Sequence, residues 1–351
     1  MTEEQHNIQP ETENNTQQFF PKKKYQPAIS YGGQFAILIG LFGFGIVVTA
    51  LVTVVLWLSL THTGISAMEE NLANPAYSKA LEIIQVASSV CMFFIPAAGL
   101  AIIVSRKPFK YLGFTTRISA KQIFWVILII LTALFLISNP LGIINEIIPI
   151  PKSWQIYFHQ KEDEYSNAVE AVMPLKTFAD YLLSLLIIAI APAIVEESFF
   201  RGALQQLLVK WFKNVSVGII IASVLFSAVH MSYYGFLVRA ALGIFLGLIF
   251  YYGKNIWLNI LAHFLNNGIA LTQLYILTKS GKNIKEVMND NSLPFISSEQ
   301  SATTTVFAII MLVIGVFIMR ILFREFKKEC VRLGVNEIDN TVQPSNNPFD
   351  E

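Results

Sequence analysis

Charge is what this chain has least of. Asp, Glu, Lys and Arg together make up 14% of its 351 residues, against about 25% in an ordinary soluble domain. Apolar residues fill the gap at 54%, and mean hydropathy is +0.54. Those values exclude a soluble globular domain and define an integral membrane protein. Net charge is +1, so no bulk attraction to nucleic acid is implied. Cysteine is nearly absent. Cys91 lies in an apolar run and Cys330 in a basic C-terminal segment, which excludes a disulfide framework and leaves no CxxC metal site. There is no HExxH pattern, where two metal ligands would sit on one helix. No internal repeat is present, so an inverted-repeat transporter lacks its usual sign. Residues 1–28 are polar, rich in Gln, Asn and Glu, and carry no signal-peptide pattern. They are expected to form a disordered tail, as is the end, 334–351.

What the chain has instead is apolar runs near the length of a bilayer span. There are eight: Phe35–Leu58, Ile83–Val104, Ile123–Ile144, Thr177–Val195, Val215–His230, Phe236–Tyr252, Ile256–Leu277 and Thr305–Leu322. The expected fold is all-α, a polytopic bundle of about eight transmembrane helices within residues 29–333. Loop charge orients it. Lys22, Lys23 and Lys24 precede the first span, Arg106, Lys107, Lys110, Arg117 and Lys121 follow the second, and Arg320, Arg324, Lys327, Lys328 and Arg332 close the last. With eight spans these fall on one side, so both termini are expected to be cytoplasmic. Lys279, Lys282 and Lys285 fall on the other side and disagree. The long third loop, Asn145–Lys176, is acidic and therefore external. Its Trp154 and Tyr157 suit an interfacial segment, and a lid is a second reading.

Against this apolar background Glu196-Glu197-Ser198-Phe199-Phe200-Arg201 stands out. Charge inside a bilayer is expensive and needs compensation. On a helix Glu197 and Arg201 are four apart and share a face, so they can pair. Glu196 is turned about 100° away and stays free. Pro192, one turn earlier, removes a backbone hydrogen bond and predicts a local distortion. Of five histidines, His6, His62 and His159 lie in tails or loops, whereas His230 and His263 fall in apolar segments. Asn267 follows His263 by four residues on the same face, and Asn266 by three. Each polar residue alone has an ordinary explanation as a hydrogen bond between helices. A Glu, two His and an Asn on three spans are costly unless they converge. Convergent, they suit one reaction. A carboxylate takes a proton from water, one imidazole fixes that water, and a second imidazole and an amide stabilise an oxyanion. That is peptide hydrolysis by an activated water. Glu196, His230 and His263 are also ligand types that zinc accepts with a fourth position open, so zinc and metal-free mechanisms both stay open.

EESFFR, then FSAVH, then HFLNN resemble the EExxxR, FxxxH and HxxxN motifs of the CPBP family, whose members are CAAX-type intramembrane endopeptidases and bacteriocin-processing or self-immunity proteins. The resemblance covers about Ile187–Leu271 and implies a protease core of about 177–277. It implies that Glu196 activates water, that His230 is its partner, that His263 and Asn267 stabilise the oxyanion, and that Glu197 and Arg201 form a supporting pair. It further implies a membrane-associated peptide or protein as substrate and the membrane of a bacterial cell as location. Two other readings stand beside it: a non-catalytic scaffold or immunity protein of the same fold, and a proton-coupled transporter using Glu196 and the histidines as a relay.

Overall fold

A computed structural model describes residues 28–71, 74–172, 175–281 and 302–335. Residues 1–27, with Lys22, Lys23 and Lys24, residues 336–351, and the loop lysines Lys282 and Lys285 lie outside the described residues. Nine helices of more than one or two turns organise the rest: α1 (Tyr31–Thr61), α2 (Ser78–Val104), α3 (Ala120–Ile147), α4 (Lys152–Val172), α5 (Phe178–Phe212), α6 (Val215–Ala228), α7 (Phe236–Gly253), α8 (Ile256–Lys279) and α9 (Ala302–Arg332). No strand occurs among the described residues. Seven of these helices are long and apolar enough to cross a membrane. The fourteen-residue α6 is the short one. Every predicted span is a helix, and the fold is the expected polytopic all-α bundle.

The helix starts follow from local capping chemistry. Ser30 Oγ accepts from Gly33 N, and Asn214 and Asn255 cap α6 and α8 by accepting from Val217 N and Trp257 N. Ser119 with Gln122 and Thr177 with Asp180 form reciprocal capping boxes at α3 and α5. Cys91 and Cys330 are both free, and Gln122 Nε2 donates to the buried Cys330 Sγ at 3.4 Å.

One boundary is corrected. The fourth span was expected to end at Val195, with the charged residues at a membrane edge. The helix instead runs without a break to Phe212, and Glu196 and Glu197 sit near its midpoint. Hydropathy read the charges as an ending. They are instead absorbed inside the helix by a pair four residues apart, so nothing forces the backbone out. In the spans as predicted, Glu196 falls near the inner end of its helix and His230 near the outer end of the next, so the two could not meet; the longer α5 removes that conflict of depth. Lys213 turns the chain with φ 52° and α6 runs back antiparallel. Glu197 lies as far before the end of α5 as His230 lies beyond the start of α6, so the hairpin brings them level. Edge-to-face contact of Phe200 with Phe226 (5.1 Å between ring centres) fixes that register.

The helices α6 and α7 approach closely because Gly243 has no side chain. A Cβ there would lie 2.8 Å from Ser223 Cβ and 3.0 Å from Ser223 Cα. The same gap leaves the Gly243 carbonyl open to Arg201 on α5. Small residues set such approaches in membranes, where water supplies no hydrophobic drive between helices. Gly243→Ala is therefore expected to lower stability by about 1–3 kcal/mol through overpacking, read as a lower unfolding temperature in detergent. An unchanged midpoint would contradict the close approach.

Candidate active site

The site is built on the middle of α5. Two π-helical turns, Leu185–Ile190 and Ser198–Gln205, flank the short α-helical stretch that carries Glu196 and Glu197. Such turns re-aim side chains within a continuing helix and recur at functional sites. The first lies just ahead of Pro192, where the sequence predicted a distortion. Pro192 has no N–H to give to the carbonyl of Ile188, four residues back. Asn267 Nδ2 donates to that carbonyl instead, at 3.3 Å. A backbone group freed by proline thus becomes an anchor for α8.

Glu197 is fully buried and held on both oxygens. Arg201 Nη1 donates to its Oε1 at 2.8 Å, and His263 Nδ1 meets the same oxygen at 2.9 Å. Asn259 Nδ2 donates to Oε2 at 3.2 Å and also to the Leu246 carbonyl at 2.7 Å. Arg201, 1% exposed, sends Nη2 to the Gly243 carbonyl at 3.3 Å. Its guanidinium lies 4.6 Å from the centre of the Phe226 ring. One carboxylate thereby ties α5, α7 and α8 together. Charge, hydrogen bonds and ring contact are all satisfied, as a buried pair requires.

Glu196 contrasts with its neighbour. Its Oε2 is buried and has no hydrogen-bond partner among the described residues. It stands near enough to His263, Glu197 and Arg201 for their charges to act on it. His230 follows the last turn of α6, half-buried, with Nδ1 2.8 Å from the Phe226 carbonyl. A carbonyl only accepts, so Nδ1 carries the hydrogen and Nε2 keeps its lone pair. Phe226 is the common neighbour of the polar groups, in ring contact with His230 at 5.1 Å and with His263 at 5.9 Å. Asn267 is half-buried on the face of His263, and its Oδ1 accepts from Asn266 Nδ2 at 3.0 Å.

Arg201, His230 and His263 thus gather around Phe226, Glu197 is joined to Arg201 and His263, Glu196 is its neighbour in the chain, and Asn267 lies one helical turn further along α8. Two participants escaped the sequence reading. Asn259 precedes His263 by four residues, so the line Asn259, His263, Asn267 on one helical face was a readable sign. Arg239 is a lone cation in the apolar run of α7, which was also a sign. Among the described residues no three His, Cys, Asp or Glu side chains are placed to hold an ion together. Each imidazole has turned Nδ1 to a protein acceptor, which leaves Nε2 as the free nitrogen of both His230 and His263.

Above the site, the expected external loop contains α4. Its Phe158 stacks on Tyr233 (4.7 Å, 11° between planes), His159 meets Tyr234 at 4.8 Å, and Glu162 accepts from the buried Ser232 at 2.9 Å. All three contacts grip the turn after His230. Asn145, at the end of α3, grips the same turn through the Tyr233 carbonyl (2.9 Å) and Leu237 N (3.1 Å).

A helix bundle of the polytopic membrane class, with a buried polar layer at mid-helix, is what fold and site define together. Residues 178–269 match the family described as Rce1-like, type II CAAX prenyl endopeptidase. That stretch, roughly a quarter of the chain, holds every residue of the layer, and over it the chain is similar to the CPBP/CAAX protease family. No curated protein and no solved structure matches the chain.

Proposed function

We propose that this chain is an intramembrane endopeptidase in which Glu196 activates a water molecule against a peptide carbonyl of a membrane-associated substrate. The observation that carries this reading is the division of labour between adjacent carboxylates. Glu197 is consumed by three partners, whereas Glu196 keeps a buried oxygen without any. A carboxylate with no structural task in low dielectric is a group kept for chemistry.

The step runs as follows. Water oxygen attacks the carbonyl carbon while Glu196 takes one water proton. His230, with Nδ1–H held by Phe226, offers Nε2 as acceptor for the other water hydrogen. The oxyanion that forms needs donors. Asn267 Nδ2 has two hydrogens and gives one to Ile188, so the second is available. His263 donates from Nε2 only as the imidazolium, whose charge would be met by Glu197 across Nδ1. The C–N bond then breaks, and Glu196 returns its proton to the leaving amine.

No step is routed through a metal, since among the described residues no three His, Cys, Asp or Glu side chains are placed to hold an ion together. Purified protein in vesicles is expected to cleave membrane-anchored peptides at a rate that prolonged chelation leaves unaltered. A rate lost on chelation and restored by zinc would overturn the metal-free step. Folded protein that cleaves no membrane-anchored peptide would overturn the enzyme reading itself.

A further inference from the structure

One charged group at this depth has no task in the mechanism above. Arg239 lies in the first turns of α7, inside an apolar run. The parallel packing of α5 and α7 sets its level. Arg201 reaches the Gly243 carbonyl, and Gln205, one turn inward, reaches that of Gly247 at 2.9 Å. One turn outward along the same two ridges, Glu197 on α5 corresponds to Arg239 on α7. The backbone of Arg239 is therefore level with Glu197, and its charge lies within electrostatic range of His230.

An arginine near a helix end often extends its head to the headgroup region. This one does not. Its guanidinium lies against the backbone of Gly235, where a Cβ would run into Nη1. Nη1 is buried and has no hydrogen-bond partner among the described residues. Glu162 of α4, which grips this turn, is engaged with Ser232 instead. A buried guanidinium hydrogen left unpaired is costly, and Gly235 is the residue that makes room for it.

We propose that Arg239 is a specificity-determining residue that binds a carboxylate of the substrate beside the attacked bond. This rests on the reading of Glu196 as a peptidase base. The planar fork of arginine matches a carboxylate bidentately. A peptide has two sources of that group, its C-terminus and an Asp or Glu side chain.

The test uses full-length protein in vesicles and peptides anchored by an N-terminal acyl chain, in three matched forms: a C-terminal acid, the C-terminal amide, and the amide with an added Asp. Wild type is expected to favour a carboxylate form over the plain amide by roughly ten- to a hundredfold in kcat/KM, the range of a hydrogen bond to a charged group. Preference for the acid assigns the C-terminus, and preference for the Asp peptide assigns the side chain. Arg239→Gln is expected to bring the ratio close to one, and Arg239→Lys to keep part of it. Equal rates for all three peptides in wild type, or an undiminished ratio in Arg239→Gln, would overturn the proposal. A merely structural Arg239 would lower all three rates together and leave the ratio alone. Should Arg239→Gln not fold, the wild-type and Arg239→Lys ratios decide. Should wild type cleave none of the peptides, the peptidase reading fails separately, and binding decides. Tighter binding of a carboxylate form, lost in the Arg239 variants, supports the site, and equal binding overturns it.

Discussion

Glu196→Gln is expected to leave a folded protein that still binds substrate but turns over about 10²–10⁴-fold more slowly. Glutamine keeps the shape of the side chain and removes its basicity. The upper end of the range applies here, because the one carboxylate close enough to substitute is Glu197, and Glu197 is already held by Arg201, His263 and Asn259. Asn267→Ala is the informative comparison. It deletes one oxyanion donor, worth roughly 10²–10³-fold, while His263 remains. It also removes the bond to the Ile188 carbonyl, so rates must be normalised to folded protein. The discriminating result is the order, with Glu196→Gln the worse of the two. Equal and mild defects would identify a structural polar cluster, and retained turnover in Glu196→Gln would end the proposed mechanism.

Much of the fold was legible because membranes impose one simple rule on the sequence: backbone polar groups must pair within each span, so every apolar run of sufficient length is a helix. The pairing of Glu197 with Arg201 was legible for the same local reason, since a four-residue spacing needs no tertiary information. What could not be read was how far α5 continues. Hydropathy treats Glu196, Glu197 and Arg201 as an exit, and only the tertiary partners, with His263 66 residues away and Gly243 42, show that the charge is absorbed. Asn267 illustrates a different limit. Its spacing from His263 was plain, but its bond to α5 depends on a carbonyl that Pro192 leaves without its helical donor. The loop expected to be external was read through its aromatic anchors, yet its grip on the turn after His230 rests on ring contacts between segments far apart in sequence. Arg239 was visible as a charge in an apolar run. Its burial against Gly235 was not, because glycine there announces space without saying what fills it.

Arg201→Ala is expected to cost folded protein rather than activity alone. Arg201 and Glu197 are 1% and 0% exposed. Removing one partner of a buried pair leaves the other charge in low dielectric, at about 3–5 kcal/mol. The loss is compounded in three places. The Gly243 carbonyl forfeits its donor from α5, the face of Phe226 forfeits the cation 4.6 Å above it, and Glu197 keeps only His263 and Asn259. Phe226 also touches both imidazoles, so any slack there reaches His230 and His263. Arg201→Lys should fall between wild type and alanine, since it keeps the charge but not the planar fork that spans Glu197 and Gly243. The decisive comparison is a double variant. If the damage comes from an uncompensated carboxylate, Arg201→Met with Glu197→Gln removes both charges and should recover a substantial part of the folded yield and unfolding temperature lost in Arg201→Ala. If the two changes simply add, Arg201 acts through packing on Phe226 and not through the pair. A well-folded, fully active Arg201→Ala would refute the pair as the tie between α5, α7 and α8, and with it the division of labour that leaves Glu196 free.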